Sequence, residues 1–246
     1  MTVVAIIQAR MGSTRLPGKV MKPIFGRPMI HYVIERVERI SGVDEAVVAI
    51  PDTLEDDLLD EYLRSRESVG VYRGPEKDVL ARYYGAARAA KAEAVVRITA
   101  DCPLISPEVS GRVLSRYLEG AGDVDYVSNC LVRTYPRGLD TEVFAFAALE
   151  RAYREAKYPA DREHVTPYMW RQPSRFRLAG VCDSVDRSHI RLTLDTQEDF
   201  ELIGKIFEAL YPDDPKFEYR DILRVLERHP EWTELNRHVR QKEYGE

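Results

Sequence analysis

Cysteine is scarce in this chain of 246 residues. Its three members, Cys102, Cys130 and Cys182, are odd in number and widely scattered. Zinc clusters and disulfide frameworks use closely spaced or even sets of cysteine, so we expect neither, and a reduced, cytoplasmic protein is predicted. Long apolar runs are also missing: none reaches the roughly 20 residues that a membrane-spanning helix needs. Residues 3–7 are too short an apolar stretch for a signal peptide, and none is expected.

An excess of positive charge is absent as well, because the formal net charge is -5. A nucleic-acid-binding domain is usually basic, so this class of partner is not expected. Apolar residues make up 44% of the chain, enough to form a full core. Internal repeats and low-complexity linkers are not found in the sequence. The length therefore favours one large domain, or one domain with an appendage.

The chain begins with a β-branched apolar run, residues 3–7, which ends abruptly in polar residues. Such a run is typical of an inner strand of a parallel sheet. The loop that follows, residues 8–19, contains Arg10, Arg15 and Lys19 among glycines and hydroxyl residues. Open α/β sheets bind ligands at the carboxyl ends of their strands. The loop is therefore predicted to bind a polyanion, most simply a nucleoside triphosphate. It has neither the Walker A spacing nor a GxGxxG motif.

Predicted strands and helices alternate four times in the first part of the chain. Strands are predicted at 3–7, 45–51, 69–72 and 94–99, and helices at 28–37, 52–66, 78–90 and 107–118. This alternation predicts a three-layer α/β/α fold with a mostly parallel central sheet. Further along, strands are predicted at 125–128, 141–146, 176–182 and 190–194, and helices at 147–157, 161–170, 197–210 and 219–228.

Asp101 directly follows the predicted strand 94–99 and should face the same crevice as the opening loop. A carboxylate there is well placed to hold Mg²⁺, a hard cation that prefers oxygen ligands. The alternative is that Asp101 only caps the next turn or helix. Asp195 follows the predicted strand 190–194 and allows the same two interpretations, a shared metal site or a cap for the helix at 197–210.

Six blocks of sequence, in order, resemble the sugar-activating cytidylyltransferases, and together they span about the first 200 residues. The blocks are AIIQARMGSTRLPGKVMKPI, VYRGPEKDVLARYY, VVRITADCPLI, YPRGLDTEVF, REHVTPY and RLTLDTQEDFELI. This family includes the enzymes that make CMP-sialic acid and CMP-KDO. The branch most similar to this chain is the spore-coat polysaccharide biosynthesis group.

The resemblance implies a fold like that of the nucleotide-diphospho-sugar transferases, which is Rossmann-like. It also implies an enzyme that transfers CMP from CTP to a sugar acid or related acceptor with release of pyrophosphate, for surface polysaccharide or glycoconjugate biosynthesis. Mg²⁺ is the implied cofactor, with Asp101 and Asp195 as its ligands. A homodimer is implied too. Cytosine specificity and the acidic or sugar acceptor come from the resemblance alone.

Site residues are carried over by matching motifs. Arg10, Arg15 and Lys19 are predicted to be catalytic because they neutralise the triphosphate. The predicted nucleotide-binding residues are Gln8, Ala9, Arg10, Met11, Gly12, Lys19, Arg73 and Gly74. The predicted substrate-binding residues are Arg97, Asp140, Glu142 and His164. Asp140 and Glu142 have the alternative of an exposed acidic loop, and His164 that of a structural hydrogen-bonding role.

The domain prediction assigns residues 1–212 to a nucleotidyltransferase domain, with a protruding substrate or dimerisation segment near 129–146. Residues 213–246 are predicted to be a helical appendage, and the charged tail at 231–246 is expected to have no chemistry. Two other functions stay open. A nucleotide-sugar-dependent glycosyltransferase would use Asp123 and Asp125 as an Asp-x-Asp motif on its metal. A non-catalytic nucleotide-binding protein would keep the fold without the reaction.

Overall fold

The computed structural model describes residues 1–241, and the last five residues, 242–246, lie outside the described part. A seven-stranded sheet runs in the order β5-β4-β1-β6-β8-β7-β9. Its strands are β1 (Val3–Gln8), β4 (Glu45–Pro51), β5 (Gly70–Gly74), β6 (Ala94–Thr99), β7 (Tyr126–Ser128), β8 (Glu142–Ala145) and β9 (Leu178–Gly180). Only β8 runs antiparallel to its neighbours. A two-stranded ribbon of β2 (Pro23–Ile24) and β3 (Arg27–Pro28) lies outside the sheet. The predicted mostly parallel sheet is confirmed.

Nine α-helices cover the two faces of this sheet within residues 1–241. They are α1 (Met29–Val37), α2 (Asp57–Arg64), α3 (Val79–Ala89), α4 (Pro107–Glu119), α5 (Phe146–Glu155), α6 (Pro159–His164), α7 (Pro167–Trp170), α8 (Gln197–Leu210) and α9 (Tyr219–Arg228). Three short 3-10 helices are Lys19–Met21, Leu54–Asp56 and Pro230–Glu234.

Strand β1 shows why the core has two halves. Val3, Ala5 and Ile7 pack on the face that α1, α2, α4, α8 and α9 cover. Val4 and Ile6 pack on the opposite face, against α3 and α5. Alternate side chains of a strand point to opposite faces, so a continuous apolar run fits a strand that is buried on both sides. The predicted three-layer arrangement is therefore observed.

Two predicted elements are wrong. The predicted helix 161–170 is two helices, α6 and α7, because Val165 between them has φ 73 and cannot continue a right-handed helix. Asp161, the first residue of the predicted helix, lies buried within α6, two residues after that helix begins at Pro159. The predicted strand 190–194 forms only one isolated bridge, between Arg137 and Arg191. An apolar alternation alone did not reveal that this segment has no strand to pair with.

The segment predicted to protrude packs on the domain at its centre. Tyr135 and Leu139 are almost completely buried and form a small core with Val109 of α4 and Tyr219 of α9. This core also joins the predicted C-terminal appendage to the rest of the domain. In the described part of the chain, no helix has the length and apolarity required to cross a bilayer.

Candidate active site

The register of the sheet brings two functional loops together. Strands β1 and β6 are parallel neighbours, and Gln8 pairs with Thr99 at their carboxyl ends. The loops that follow both strands therefore start side by side at one edge of the sheet. The first loop is held by a hydrogen bond that the Met11 amide donates to Asp56 Oδ1, 2.8 Å away. Gly18, at φ 66, turns the chain into the 3-10 helix that begins at Lys19.

Lys19 lies between the two aspartates that the sequence predicted as metal ligands. Its Nζ is 2.8 Å from Asp195 Oδ1 and 3.4 Å from Asp101 Oδ2. It also donates a hydrogen bond to the carbonyl oxygen of Leu194, at 2.8 Å. Burial lowers the pKa of Lys19, but the charges of Asp101 and Asp195 outweigh burial, so the net pKa is raised. Lys19 is therefore held as a cation between two carboxylates.

Asp101 is kept ionised by its surroundings. Burial raises its pKa, but the Lys19 charge and hydrogen bonds from Thr99, Cys102 and Lys19 lower it further, and the net pKa lies below the usual value. Thr99 Oγ1 donates to Asp101 Oδ1 at 2.5 Å. The carboxylate is thus available as an anion at the carboxyl end of β6.

Asp195 accepts from two arginines in addition to Lys19. Arg15 Nη2 and Arg191 Nη2 each lie 2.8 Å from Asp195 Oδ2. Arg191 is buried and also binds Asp199, which accepts from the backbone amides of Asp195 and Thr196. Asp199 and Thr196 form the capping box of α8. The Asp195 carboxylate is therefore fixed both through its own oxygens and through its backbone.

Arg97 lies on β6 with its guanidinium group directed to the same edge. It forms an ion pair with Glu142 and donates to Gln8 Oε1 at 3.1 Å. Glu142 is buried and also accepts hydrogen bonds from Tyr126 at 2.5 Å and Thr166 at 2.7 Å. The Glu142 carboxylate therefore has three partners within the fold. This favours a structural role over the predicted contact with substrate.

These side chains surround a cavity of about 460 Å³. The predicted residues that line it are Gln8, Ala9, Arg10, Arg15, Lys19, Arg97, Asp101, His164 and Asp195. Burial comes first among the causes that lower the pKa of His164 from its usual value, which favours a neutral ring at this wall. A larger opening, of about 840 Å³, lies over α4 and α9. Its Arg39, Arg112 and Arg220 are all paired with glutamates. The smaller cavity is therefore the better candidate.

Sequence reasoning missed several residues of the cavity wall. They include Ser13, Thr14, Arg82, Thr99, Glu163, Trp170 and Gln241. Arg82 lies within the second resemblance block and is almost fully buried on α3, an unusual position for arginine that the helical pattern did not single out. Gln241 belongs to the tail that was expected to have no chemistry. No local signal identifies it, because its place depends on how the C-terminal segment packs.

Six predicted site residues do not line the cavity: Met11, Gly12, Arg73, Gly74, Asp140 and Glu142. Arg73 binds three carboxylates of the neighbouring loop and helix, those of Asp52, Asp57 and Asp60. Asp140 forms a bidentate ion pair with Arg133, with Nη1 2.6 Å from Oδ1 and Nη2 2.9 Å from Oδ2. Charge pairing within the fold therefore engages Arg73 and Asp140, while the contacts predicted for the six residues with nucleotide or substrate stay predictions.

Comparisons with known proteins agree on one family. A family model described as cytidylyltransferase matches residues 4–241. The uncharacterized protein MJ1063 of Methanocaldococcus jannaschii is 37% identical, over 100% of this chain and 99% of that protein. The spore coat polysaccharide biosynthesis protein SpsF of Bacillus subtilis is 30% identical, over 93% of this chain and 95% of that protein. A solved cytidylyltransferase of Leptospira borgpetersenii superposes with a TM-score of 0.90 at 31% identity, covering 99% of this chain and 100% of the other.

Proposed function

The chain belongs to the cytidylyltransferase family, and we propose that it transfers CMP from CTP to a sugar acid or related acceptor with release of pyrophosphate. The resemblance found in the sequence is confirmed, as are the predictions of an α/β nucleotidyltransferase fold and of an enzyme. The name of the similar SpsF protein supports a role in surface polysaccharide biosynthesis. The acceptor itself is a proposal that follows from the resemblance.

One observation supports the nucleotide site above all others: Lys19 lies between Asp101 and Asp195 in a cavity that also holds four arginines, Arg10, Arg15, Arg82 and Arg97. The Nε atoms of Arg82 and Arg97 are buried without a hydrogen-bond partner. A buried donor left unpaired is costly, and an anionic oxygen would satisfy it. This excess of cations suits a triphosphate.

Asp101 and Asp195 also fit a divalent cation. Mg²⁺ usually binds through one or two carboxylates and completes its shell with waters and substrate phosphates. The two aspartates supply this donor set, and no group of three or more acidic, histidine or cysteine ligands occurs among residues 1–241. We propose that both hold Mg²⁺ together with the nucleotide. When bound, the ion would supply Lewis acidity at the α-phosphate.

In the proposed reaction, an acceptor oxygen forms a bond to the α-phosphorus of CTP, and the bond from that phosphorus to the bridging oxygen breaks. The electron pair leaves with pyrophosphate, and the proton of a hydroxyl acceptor passes to water. Nucleotidyl transfer of this kind depends mainly on positioning and on neutralising charge. We assign Lys19, Arg10 and Arg15 to the triphosphate and the leaving pyrophosphate, and Arg97 and His164 to the acceptor side of the cavity.

The glycosyltransferase alternative has less support. Asp123 and Asp125 precede β7, which runs parallel to β6, so they lie at the amino edge of the sheet and not at the carboxyl edge with the cavity. Asp125 accepts three hydrogen bonds from Arg177, and Asp123 is almost fully exposed. A non-catalytic nucleotide-binding protein would bind CTP but release no pyrophosphate. Measuring both binding and release separates this alternative from an enzyme.

The deciding experiment is thermal unfolding with Mg²⁺ and, in turn, CTP, UTP, ATP, GTP and UDP-glucose. A ligand at about 100 times its dissociation constant adds about 2.7 kcal/mol of stability, which is visible as a higher midpoint. We expect a rise with CTP that depends on Mg²⁺, followed by pyrophosphate release with an acidic sugar acceptor. The rise should be lost in Lys19→Met and kept in the control Lys157→Met, an exposed lysine. A rise with UDP-glucose alone would contradict the proposal.

We also propose a cytoplasmic homodimer, as the resemblance implies. The sheet ends in β9 on one side and β5 on the other, and these edge strands are the simplest surfaces for a second copy. Sedimentation equilibrium of the purified chain tests the dimer. A mass that stays at 28.3 kDa at every concentration would contradict it.

A further inference from the structure

A second cavity, of about 270 Å³, adjoins the candidate active site and is lined by four arginines. These are Arg137, Arg191, Arg237 and Arg240, and His189 lies at the same wall. No aspartate or glutamate lines it within residues 1–241. In a chain of net charge -5, a cavity with this composition is unusual. Concave sites lined by one sign of charge concentrate ions of the opposite sign.

Arg137 is the member whose charge is left without a partner. Within residues 1–241 it makes no side-chain hydrogen bond and no ion pair, whereas Arg191 is bound to Asp195 and Asp199, and Arg237 to Glu234. Its nearest acidic neighbour by charge, Asp140, is already bound by Arg133 at both oxygens. Burial comes first, and the charges of Arg133 and Arg191 follow, among the causes that lower the pKa of Arg137.

The backbone holds Arg137 in this unfavourable place. Its amide donates to the carbonyl of Ile190 at 3.0 Å, and its own carbonyl accepts from Leu192 at 2.7 Å. Gly138, at φ 99, lets the chain pass so close to Leu192 that a Cβ would lie 2.5 Å from the Leu192 carbonyl. A cation kept next to other cations at a cost in stability indicates a functional site more than a structural one.

The walls of the second cavity and the first are connected. Gln241 lines both cavities and accepts from Arg191 at 2.5 Å. Arg191, which lines the second cavity, donates to Asp195, which lines the first. Arg191 therefore lines the same cavity as Arg137 and binds the proposed metal-binding carboxylate. The volume lies just below the roughly 300 to 1,000 Å³ of ordinary ligand pockets, so it suits a small group and not a nucleotide.

We propose that the second cavity binds a small oxyanion, a phosphate, phosphonate or carboxylate group, with Arg137 as its anchor. The planar guanidinium matches two oxygens of such a group. We assign this oxyanion to the acceptor, as an acidic group distinct from the oxygen that attacks CTP. That assignment rests on the proposed function, whereas binding of the anion at Arg137 does not. A free phosphate ion has the same chemistry and is the other source that the experiment must separate.

The first measurement compares the thermal midpoint in inorganic phosphate with that in chloride at equal ionic strength, with the first cavity saturated by Mg²⁺ and CTP. Wild type should gain stability in phosphate. Arg137→Met should lose that gain, Arg137→Lys should keep part of it, and Arg112→Met, an arginine on α4 outside this cavity, should keep all of it. In chloride alone, Arg137→Met should be at least as stable as wild type, because a repelled cation has been removed. A structural role predicts the opposite.

A phosphate gain that is equal in wild type and Arg137→Met, or absent from wild type, overturns the second anion site. Absence of CTP binding in wild type instead refutes the proposed function, and the comparison of Arg137→Met with Arg112→Met still reports on the anion site.

Pyrophosphate release then separates the two sources of the oxyanion, the acceptor and a free phosphate ion. Phosphate that raises the KM of an acidic acceptor without lowering kcat marks the oxyanion as the acceptor's own group. Phosphate without such competition marks a free ion.

Discussion

Lys19 Nζ lies 2.8 Å from Asp195 Oδ1, although 176 positions separate the two residues in the chain. The contact connects the loop after β1 with the segment before α8, and Asp101 after β6 completes the group. A charge-assisted contact of this kind, at 11% exposure of the lysine side chain, costs several kcal/mol to desolvate and persists only because each charge is compensated. We therefore expect that removing the charge of Lys19, Asp101 or Asp195 disturbs the other two side chains.

Replacing Lys19 with methionine should lower pyrophosphate release by about 100- to 1,000-fold, because one preorganised cation at the developing charge is worth about that much. The far-ultraviolet circular dichroism should stay that of the wild type, since the methionine stem fills most of the lysine volume. Turnover within threefold of wild type would refute the assignment of Lys19.

Replacing Glu142 with glutamine tests whether this residue is structural or binds substrate. Arg97, Tyr126 and Thr166 all contact the carboxylate, and removal of one charge from a buried pair costs about 3 kcal/mol because the other charge is left uncompensated. We expect a loss of that size in the free energy of unfolding, measured in urea. Unchanged stability together with a raised KM for the acceptor would restore the substrate contact that the sequence predicted.

Two glycine substitutions form a matched pair. Gly138→Ala should destabilise the fold by about 1 to 3 kcal/mol, since φ 99 is strained for alanine and the new Cβ would meet Leu192 at 2.5 Å. Gly111→Ala lies within α4 with nothing within 4 Å and should stabilise by about 0.5 to 1 kcal/mol. Urea unfolding measures both. A stable Gly138→Ala variant would show that residues 136–139 do not pack so tightly on residues 192–193.

His31 should make stability depend on pH. Burial first, and then the charges of Arg66 and Arg27, lower its pKa from 6.5 to about 4. Glu35 and Tyr62 also face the ring. Between these two pH values the unfolded chain binds a proton that the folded chain does not, so this residue's contribution is complete above about pH 6.5 and falls as the pH drops toward 4.

The measurement is the free energy of unfolding in urea at pH 7 and pH 5, in wild type and in His31→Gln. The fall between the two pH values should be smaller in His31→Gln, because the titrating ring has been removed. His238→Gln removes an exposed histidine and is the control. Equal pH dependence in His31→Gln and wild type would show that folding does not lower the pKa of the ring.

Much of the fold is decided by local patterns that the sequence carries openly. The run at 3–7 is apolar on both faces and β-branched, and it forms β1 at the centre of the parallel part of the sheet. Asp78 and Thr196 are N-caps of α3 and α8, and each side chain accepts from a backbone amide of its own first turn. These contacts span few residues and form locally. The sequence offered Asp195 as the cap of α8, but the structure has Thr196 in that position.

The sequence by itself also predicted which residues carry the charges of the site, among them Lys19, Asp101 and Asp195. Only the tertiary structure decided which predicted residues meet. Arg73, Asp140 and Glu142 have the right charge, but each finds a closer partner in the fold. Arg82, Arg137 and Gln241 gain their places from packing between segments that lie far apart in the chain. The spacing of charged residues in the sequence does not determine which of them form ion pairs. Their partners follow from the fold.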